Sequence, residues 1–555
     1  MGIFDTAITL LEGGETVLTT RGTRRAGPTN ARQHGRPVVP DFQDAPLYTG
    51  RLQEVLDYFA QSLGISDDYM VRIVTVAGRS AAVLFMATIC DHKVVEETLR
   101  ELHQHPFPKR TPKNLAQYLI ERVLPGSDAV FMTNLFELKE AVTGGDLVLL
   151  VDGCSPALVM GAKYVEHRSP EQPFIESSVR GSQVSFVENI DVNIGLIRST
   201  LNTDTLHVKK FKVGYRSRRD VALIYLGDVA NPVLIDTVKE RINAIHVDVI
   251  SQSSAIEQRI IDRPWTPIPL TRLTQRIDSV TREINQGKAV VIVDGDPTVL
   301  IVPASLQDMF QTEEDYGHSW VEALFLRWLR WIAFLFSVYL PALYIAFVDF
   351  NPELLPKVLG LQIARSREGV PFPAVMEVLI MQTVVEILRE ATLRMPKQMG
   401  QTIGIVGGLV VGEASVQAGL VSNILIIVVA LGAVSIFVTP SYEFATVGRL
   451  AAWAMVIAAS LFGLYGVILM SILLLSELSA AKSFGISYLT PFNGEHFRDM
   501  FTDGILRLPI TLMGNRTSHV HPRDKTGEVS FRNPVPHPQL EKAKKRRSRS
   551  EGRRP

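Results

Sequence analysis

The chain has 555 residues, a formal net charge of zero and only two cysteines. This length predicts more than one domain. The balanced charge gives no reason to expect a nucleic-acid partner, and two cysteines are too few for a disulfide scaffold. Hydropathy divides the chain into a long mixed region, an apolar region over 319–480 and a polar end over 481–555.

Residues 1–45 are predicted to form a disordered tail, because they are rich in Arg, Gly and Pro and have no apolar period. After this tail, helical and strand periodicities alternate, which predicts a soluble α/β (α+β) fold. We expect two cytoplasmic subdomains, over 46–165 and 166–318. A hairpin turn is predicted at Gly78-Arg79 between two apolar runs.

Two stretches of the soluble region resemble each other. GGDLVLLVDG ends at Gly153 and GKAVVIVDG ends at Gly295, and a second apolar run follows each of them. Asp-Gly is a common hairpin turn, so a chance recurrence is favoured here over a duplicated fold. The segment from Asn231 to Ile250 is predicted to pass from a helix into a strand.

Residues 319–480 are predicted to form an all-α, multi-pass transmembrane bundle. A bilayer core is crossed by about 20 apolar residues of helix, and backbone groups in lipid must pair within the helix. Arg327 and Arg330 favour the cytoplasmic side for the start of the first crossing. About four crossings are expected, over 327–348, over 402–439 (two crossings) and over 450–475.

The segment 373–395 carries too many charges for an ordinary lipid-facing helix. Glu390 and Arg394 are four residues apart, and Glu386 and Arg389 are three apart, so each pair can meet on a helix surface. Two interpretations remain open. The segment is either an interfacial amphipathic helix or a re-entrant helix that lines a polar path.

Small residues recur at four-residue spacing within 402–439. Gly404, Gly408 and Gly412 share one helix face and would let two backbones approach closely, so they are candidates for helix packing. A carboxylate in a membrane segment usually faces a polar path, although a short interfacial turn would also suit Glu413. The candidate pore or polar path consists of Glu386, Glu390, Arg394, Glu413 and Gln417.

The end of the chain, 481–555, is predicted to be a polar cytoplasmic tail whose basic residues favour anionic lipid. An N-terminal domain and a basic tail on the same side of a membrane require an even number of crossings. The sequence has no phosphate-binding loop, nucleophile elbow or His/Cys cluster with metal spacing. We therefore expect no enzyme activity, no cofactor and no metal site.

Several motifs between about residues 140 and 510 resemble the A-subunit family of bacterial spore germination receptors, the GerA type. Together they form a specific combination. The motifs are Arg180-Gly181 with Phe186-Val187-Glu188 and Asn193-Ile194, the run from Gly287 to Pro297, Glu314-Asp315-Tyr316 before Arg327-Trp328-Leu329-Arg330, EILREATLRMP from Glu386, GIVGGLVVGEA from Gly404, and Ser483-Phe484-Gly485 with Tyr488 and Pro491.

The resemblance implies a multi-pass protein of the spore inner membrane that acts in nutrient-triggered germination. Both termini would lie in the cytoplasm, that is, in the spore core. It also implies two partners, a transporter-like B subunit and a lipoprotein C subunit. To these we add a hypothesis from the small-residue stripe and the charges: copies of the chain associate and form an ion-conducting path.

Two departures from the family pattern leave the paralogue open. The run LTRLTQRIDS ahead of Gly287 lacks the family's Thr-Glu-Arg-Pro-Asp element. The segment from Thr439 to Glu443 and the residues from His519 to Asp524 resemble a related protein of the stage V sporulation AF type. An accessory germination scaffold of that type and a solute transporter subunit are therefore the alternative functions.

Overall fold

A computed structural model of the protein describes residues 46–108, 114–124, 129–164, 184–395, 408, 412–494, 499–509, 513 and 516–525. The predicted tail 1–45 and the basic end 526–555 lie outside the described residues. Gly404 and nearly all of its neighbours in 396–411 do so as well.

Subdomain 1 is a five-stranded antiparallel sheet with helices on both faces. The strand order is β1-β2-β4-β5-β3. Alternate residues of β2 point to opposite faces, so Leu84 packs under α1 and α4 whereas Val83 packs under α2 and α3. The elements are α1 Leu52–Ser62, β1 Tyr69–Val76, β2 Arg79–Met86, α2 His92–Gln104, α3 Leu115–Tyr118 with a π-helical extension Leu119–Val123, β3 Ala129–Met132, α4 Leu135–Gly144, β4 Leu147–Val151 and β5 Ala157–Met160.

Subdomain 2 repeats this architecture. Its strand order is β6-β7-β9-β10-β8, and all neighbouring strands are again antiparallel. Helices α5 and α8 cover one face, and α6 and α7 cover the other. The elements are α5 Ile190–Thr200, β6 Leu206–Val213, β7 Arg219–Leu226, α6 Pro232–Asn243, α7 Ser253–Ile260, β8 Arg272–Thr274, α8 Ile277–Asn285, β9 Ala289–Val293 and β10 Val299–Val302.

The two Asp-Gly turns make equivalent contacts in the two subdomains. Asp152 accepts a hydrogen bond from the first backbone N–H of α1, at Leu52 (3.2 Å). Asp294 accepts one from the first N–H of α5, at Ile190 (3.4 Å). Each turn thus holds the first helix of its own subdomain. The prediction of a chance recurrence is wrong, because strand order and turn contacts both show a duplicated fold.

A buried ion pair joins the two subdomains. Arg198 on α5 places Nε 2.8 Å from Oδ2 of Asp68 and Nη2 2.9 Å from Oδ1 of the same carboxylate. Both side chains are fully buried. Ser66 adds a second link, because its hydroxyl donates to Asp68 and accepts from the N–H of Val208 in subdomain 2.

The described part of the apolar region is mainly helical. Within the described residues, two helices are long and apolar enough to span a bilayer, Trp320–Phe350 and Tyr442–Ala480, and a shorter apolar helix covers Asn423–Val438. The elements are α9 Glu314–Gly317, α10 Trp320–Ile345 with a π-helical extension Ala346–Phe350, α11 Lys357–Ser366, α12 Ala374–Arg394, α13 Asn423–Ser435 with a 3₁₀ turn Ile436–Val438, and α14 Tyr442–Ala480.

Helix α14 reverses direction at Gly463, which has φ 59° and ψ −138°. A straight helix would separate Phe444 from Ala481 by about 55 Å. Both residues instead belong to one apolar cluster beside subdomain 2. The single helix predicted over 450–475 is therefore two arms, 442–462 and 464–480.

The helices define two ends, a domain end beside subdomain 2 and a distal end near Gly463. Helix α10 runs parallel to the first arm of α14, because a methyl group at Gly448 would lie 2.8 Å from Phe334 and one at Gly463 would lie 2.7 Å from Phe350. Helix α12 runs the opposite way. Its Glu377 accepts from the N–H of Ser422 at the distal end, and its Arg389 reaches the domain end.

Replacement of Gly463 by alanine is expected to destabilise the helices strongly. Its φ/ψ pair is adopted almost solely by glycine, at a cost of about 1–3 kcal/mol for other residues, and the new methyl group would overlap Phe350. Thermal unfolding in detergent should show a lower midpoint. Gly369→Ala is the matched control, because its methyl group would meet no described atom within 4 Å. Equal midpoints for the two variants would contradict the reversal.

After α14 the chain returns to subdomain 2. The short strands β11 Lys482–Ser483 and β12 Ile486–Ser487 form a hairpin. Phe484 and Val520 are buried in the core of subdomain 2. This part of the predicted tail 481–555 is thus folded against the domain. Helix α10 thus begins and α14 ends at the same place, beside subdomain 2.

Candidate functional site at the junction of domain and helices

An ion cluster joins the start of α10 to subdomain 2 and to the C-terminal segment. Arg330 Nη1 lies 2.8 Å from both carboxylate oxygens of Asp315. Arg327 donates to Asp315 through Nε (3.3 Å) and to Asp503 through Nη2 (3.0 Å). The hydroxyl of Tyr316 donates to the second oxygen of Asp503. All four charged side chains are at least nine-tenths buried, and their formal charges cancel.

A second network lies behind this cluster, in the core of subdomain 2. Lys288 bridges Glu283 (2.8 Å) and Asp308 (2.7 Å). Arg282 contacts Glu283 and Glu313. Burial alone would raise the pKa of Glu283, but Arg282 and Lys288 outweigh burial and hold that pKa well below its ordinary value. Glu283 is therefore ionised at neutral pH.

A cavity of about 490 Å³ lies between subdomain 2 and the domain end of the helices. Strand β8 and the segment before α9 form one wall, and α12, the end of α13 and the start of α14 form the other. Thr439 lines it and is buried, and within the described part of the chain its hydroxyl has no hydrogen-bond partner. The junction is thus packed by ion clusters on one side and open on the other.

Glu257 on α7 lies beside this cavity and accepts a hydrogen bond from Thr271. Burial raises its pKa, and the Thr271 hydrogen bond offsets only part of that rise. A group whose pKa is raised on folding favours the folded state below its unfolded pKa of about 4.3, and this contribution is lost as pH rises through the folded pKa. Ionisation of this buried carboxylate therefore destabilises the folded chain.

Glu257→Gln is expected to raise the thermal midpoint at pH 7 to 8, because the amide keeps an acceptor for Thr271 and carries no charge to bury. The gain should disappear near pH 4, where both proteins are neutral at this position. Glu240→Gln on the exposed surface of α6 is the control. A gain of equal size at both pH values would contradict this account.

The carboxylate of Glu386, which is 42% exposed, joins two helices. It accepts from Arg389 on α12 (3.2 Å) and from Arg449 on α14 (2.8 Å). These three side chains line a narrow cavity of about 40 Å³, together with Gln382. Arg389 and Arg449 also line the junction cavity. Polar side chains therefore extend from the junction into the bundle.

The other residues predicted for the polar path lie on the outside of the single chain. Glu390 and Arg394 form an exposed ion pair (2.5 Å) and share an open groove with Glu386. Gln417 donates to Glu413 (3.1 Å), and both side chains are exposed. The structure thus connects Glu386 to the junction and does not bring Glu413 to it.

The candidate packing glycines that the structure describes also have free space around them. In the residues that the structure covers, a methyl group at Gly408 or Gly412 would meet no atom within 4 Å. Gly404 lies outside the described residues. The stripe therefore has no packing partner among the described residues of its own chain.

Some of the motifs found in the sequence lie at the junction and in subdomain 2. Asp315 pairs with both arginines of the Arg-Trp-Leu-Arg motif. Ser483 is buried, donates to the carbonyl of Leu270 and accepts from the N–H of Ala304. Sequence reasoning missed Asp503 as the second partner of Arg327, because 176 residues separate them and no local pattern links them.

The profile described as Bacillus/Clostridium GerA spore germination protein matches residues 57–519. The chain belongs to the GerA spore germination family. The resemblance seen in the sequence is confirmed. The family match places this protein among spore germination proteins, and none of the relatives reported below is named as an enzyme.

Relatives cover nearly the whole chain. Spore germination protein GerLA of Bacillus cereus is 36% identical over 86% of this chain and 97% of its own length. Spore germination protein B1 of Bacillus subtilis (strain 168) is 31% identical over 85% of this chain and 98% of its own. Spore germination protein KA of the same organism is 34% identical over 86% of this chain and 88% of its own.

One solved structure covers part of the chain. The crystal structure of the N-terminal domain of the A subunit of the Bacillus megaterium germinant receptor GerK3 aligns with 47% of this chain and 97% of its own, at 24% identity and a TM-score of 0.37.

Proposed function

We propose that this GerA-family chain is the A-type membrane subunit of a nutrient receptor in the spore inner membrane, and that several copies form an ion-conducting path. The proposed partners are a transporter-like B subunit, a lipoprotein C subunit and further copies of the chain. The observation that carries the proposal is the polar connection along α12, where Glu386 links Arg389 and Arg449 between two cavities.

The orientation of α12 supports this proposal over an interfacial helix. Its 21 residues are long enough to cross the apolar layer, at about 1.5 Å per residue. Charged residues occur at both ends. Glu377 bonds Arg367 at the distal end, and Glu386 bonds Arg449 nearer the domain end. A charged group in such a helix is costly unless it faces protein or a polar path.

The open glycine face supports self-association. Gly408 and Gly412 meet no described atom of their own chain within 4 Å, and small residues at this spacing favour close helix contacts. The exposed pairs Glu390–Arg394 and Glu413–Gln417 lie on nearby segments of the same chain. In an assembly of several copies these side chains would be enclosed, and together with Glu386 they would line the path.

Ion flux through the purified protein in liposomes tests this proposal. Wild type is expected to conduct, and Glu386→Gln and Glu413→Gln are expected to reduce the flux or change its ion selectivity. Glu96→Gln, an exposed carboxylate of subdomain 1, is the control and should conduct as wild type does. Gly412→Leu should reduce both the oligomer and the flux.

A folded wild-type oligomer that passes no ions would contradict conduction by this chain alone. The same measurement on the chain co-expressed with its B and C partners would then distinguish a channel that needs these partners from a scaffold. Conduction by the complex that is insensitive to Glu386 and Glu413 would leave this chain as a scaffold.

A further inference from the structure

Trp265 is the most exposed large apolar side chain of the described residues, with 97% of its surface accessible. It lies in the loop between α7 and β8, in the sequence Arg263-Pro264-Trp265-Thr266-Pro267. Exposure of a whole indole ring to water is unfavourable. A side chain of this kind usually marks a surface that another partner covers.

The ends of this loop are fixed, so its position is defined. Asp262 accepts from Arg241 (2.5 Å) and from the backbone N–H of Phe484. Ile268 and Leu270 are buried in the apolar cluster that also holds Ala481. Arg263 reaches Glu477, with Nη1 3.8 Å from Oε1. The loop therefore lies beside the last turn of α14.

The contact between Arg263 and Glu477 shows where along α14 the loop lies. Tyr465, Leu469 and Leu473 are exposed apolar side chains spaced four apart, and Glu477 is the next residue in that row. Residues at this spacing share one helix face. The apolar face of the second arm thus ends at Glu477, where the loop begins.

The polar-to-apolar boundary on a membrane helix marks the interface of the bilayer, where Trp is enriched because its ring is apolar and its N–H is polar. We propose that Trp265 inserts into the lipid headgroup and upper acyl region and holds subdomain 2 against the membrane. The exposed Arg263 beside it suits the phosphates of that region. This inference rests on the proposal that α14 lies in a bilayer.

The test uses the full chain in nanodiscs of phosphatidylcholine and phosphatidylglycerol whose acyl chains carry bromine either close to the headgroup or near the bilayer centre. Trp265 is kept as the single tryptophan, and the other four are changed to Phe. Its emission is expected to be quenched more by the shallow bromines than by the deep ones. The difference between wild type and Trp265→Phe gives the same readout without the other substitutions.

Two controls separate the possible results. A single tryptophan made by Ile73→Trp, on the exposed edge strand β1 of subdomain 1, should be insensitive to either lipid. A variant that keeps only Trp328, on α10, reports whether the helices are in the bilayer at all. Quenching of Trp328 without quenching of Trp265 would overturn the lipid contact and leave the proposed membrane function intact.

Two further outcomes would also overturn the proposal. Full access of Trp265 to a water-soluble quencher, as for the Ile73→Trp control, would place the loop in water. Protection that depends on protein concentration and not on brominated lipid would assign Trp265 to a contact between copies of the chain.

Discussion

Asp315→Ala is expected to destabilise the junction between the domain and the helices by about 3–5 kcal/mol, the usual cost of removing one partner from a buried ion pair. The carboxylate is fully buried and is the partner of both Arg327 and Arg330. Among the described residues, its removal leaves Arg330 with the Phe310 carbonyl and the Thr312 hydroxyl as acceptors. Arg327 would keep Asp503 as its carboxylate partner, whereas Arg330 would have no carboxylate partner among the described residues.

The thermal midpoint in detergent, followed by size-exclusion chromatography of the heated samples, measures this effect. Asp315→Asn keeps the shape of the side chain and removes its charge, so it should still destabilise the protein. This variant separates the effect of charge from the effect of packing. Glu322→Ala removes the half-exposed partner of His318 in the first turn of α10 and should change stability by no more than about 1 kcal/mol. A midpoint for Asp315→Ala equal to that of Glu322→Ala would show that the cluster does not stabilise the junction.

Asp68→Ala is expected to separate the two soluble subdomains at a similar cost of about 3–5 kcal/mol. It leaves Arg198 fully buried with the Ser66 hydroxyl and the Leu206 carbonyl as its remaining acceptors. Among the residues that the structure describes, Nη1 of Arg198 already has no partner. The substitution therefore leaves a buried charge with no counter-charge.

Limited proteolysis between the subdomains measures this separation. Cleavage in the stretch between β5 and α5 should become faster in Asp68→Ala. Lys209→Ala is the matched control, because Lys209 pairs with Asp67 at the same boundary but is about half exposed, and such pairs contribute about 0–1 kcal/mol. Unchanged cleavage in Asp68→Ala would show that other contacts hold the subdomains together.

Local periodicity predicted most elements of the soluble region, and long-range contacts explain the errors. The hairpin predicted at Gly78-Arg79 is present as β1 and β2, with its turn one residue earlier, at Ala77-Gly78. The strand predicted in the segment ending at Ile250 is wrong, because there the carbonyls of Val247 and Asp248 accept from the turn at Tyr215 and Arg216. This segment has a strand-like composition, but its backbone bonds to a turn about 30 positions earlier in the chain. Local composition does not reveal such a contact.

The candidate site was only partly predictable for the same reason. The spacing of Glu386 and Arg389 predicted that they could meet, and they do. Arg449, the second partner of Glu386, lies 63 residues further along and has no local signal. The sequence predicts Arg327 and Arg330 as residues flanking a membrane helix, whereas in the structure both are buried against Asp315.

The return of the chain to subdomain 2 has a consequence for biosynthesis. The ribosome releases subdomain 2 before α10, but Phe484 and Val520, which are buried in its core, follow all of the helices. Domains usually fold as they emerge, from the N-terminus. Subdomain 2 therefore completes its core only after the segment that follows α14 has been synthesised, and a chain interrupted before that point leaves an apolar surface of subdomain 2 that chaperones and proteases can recognise.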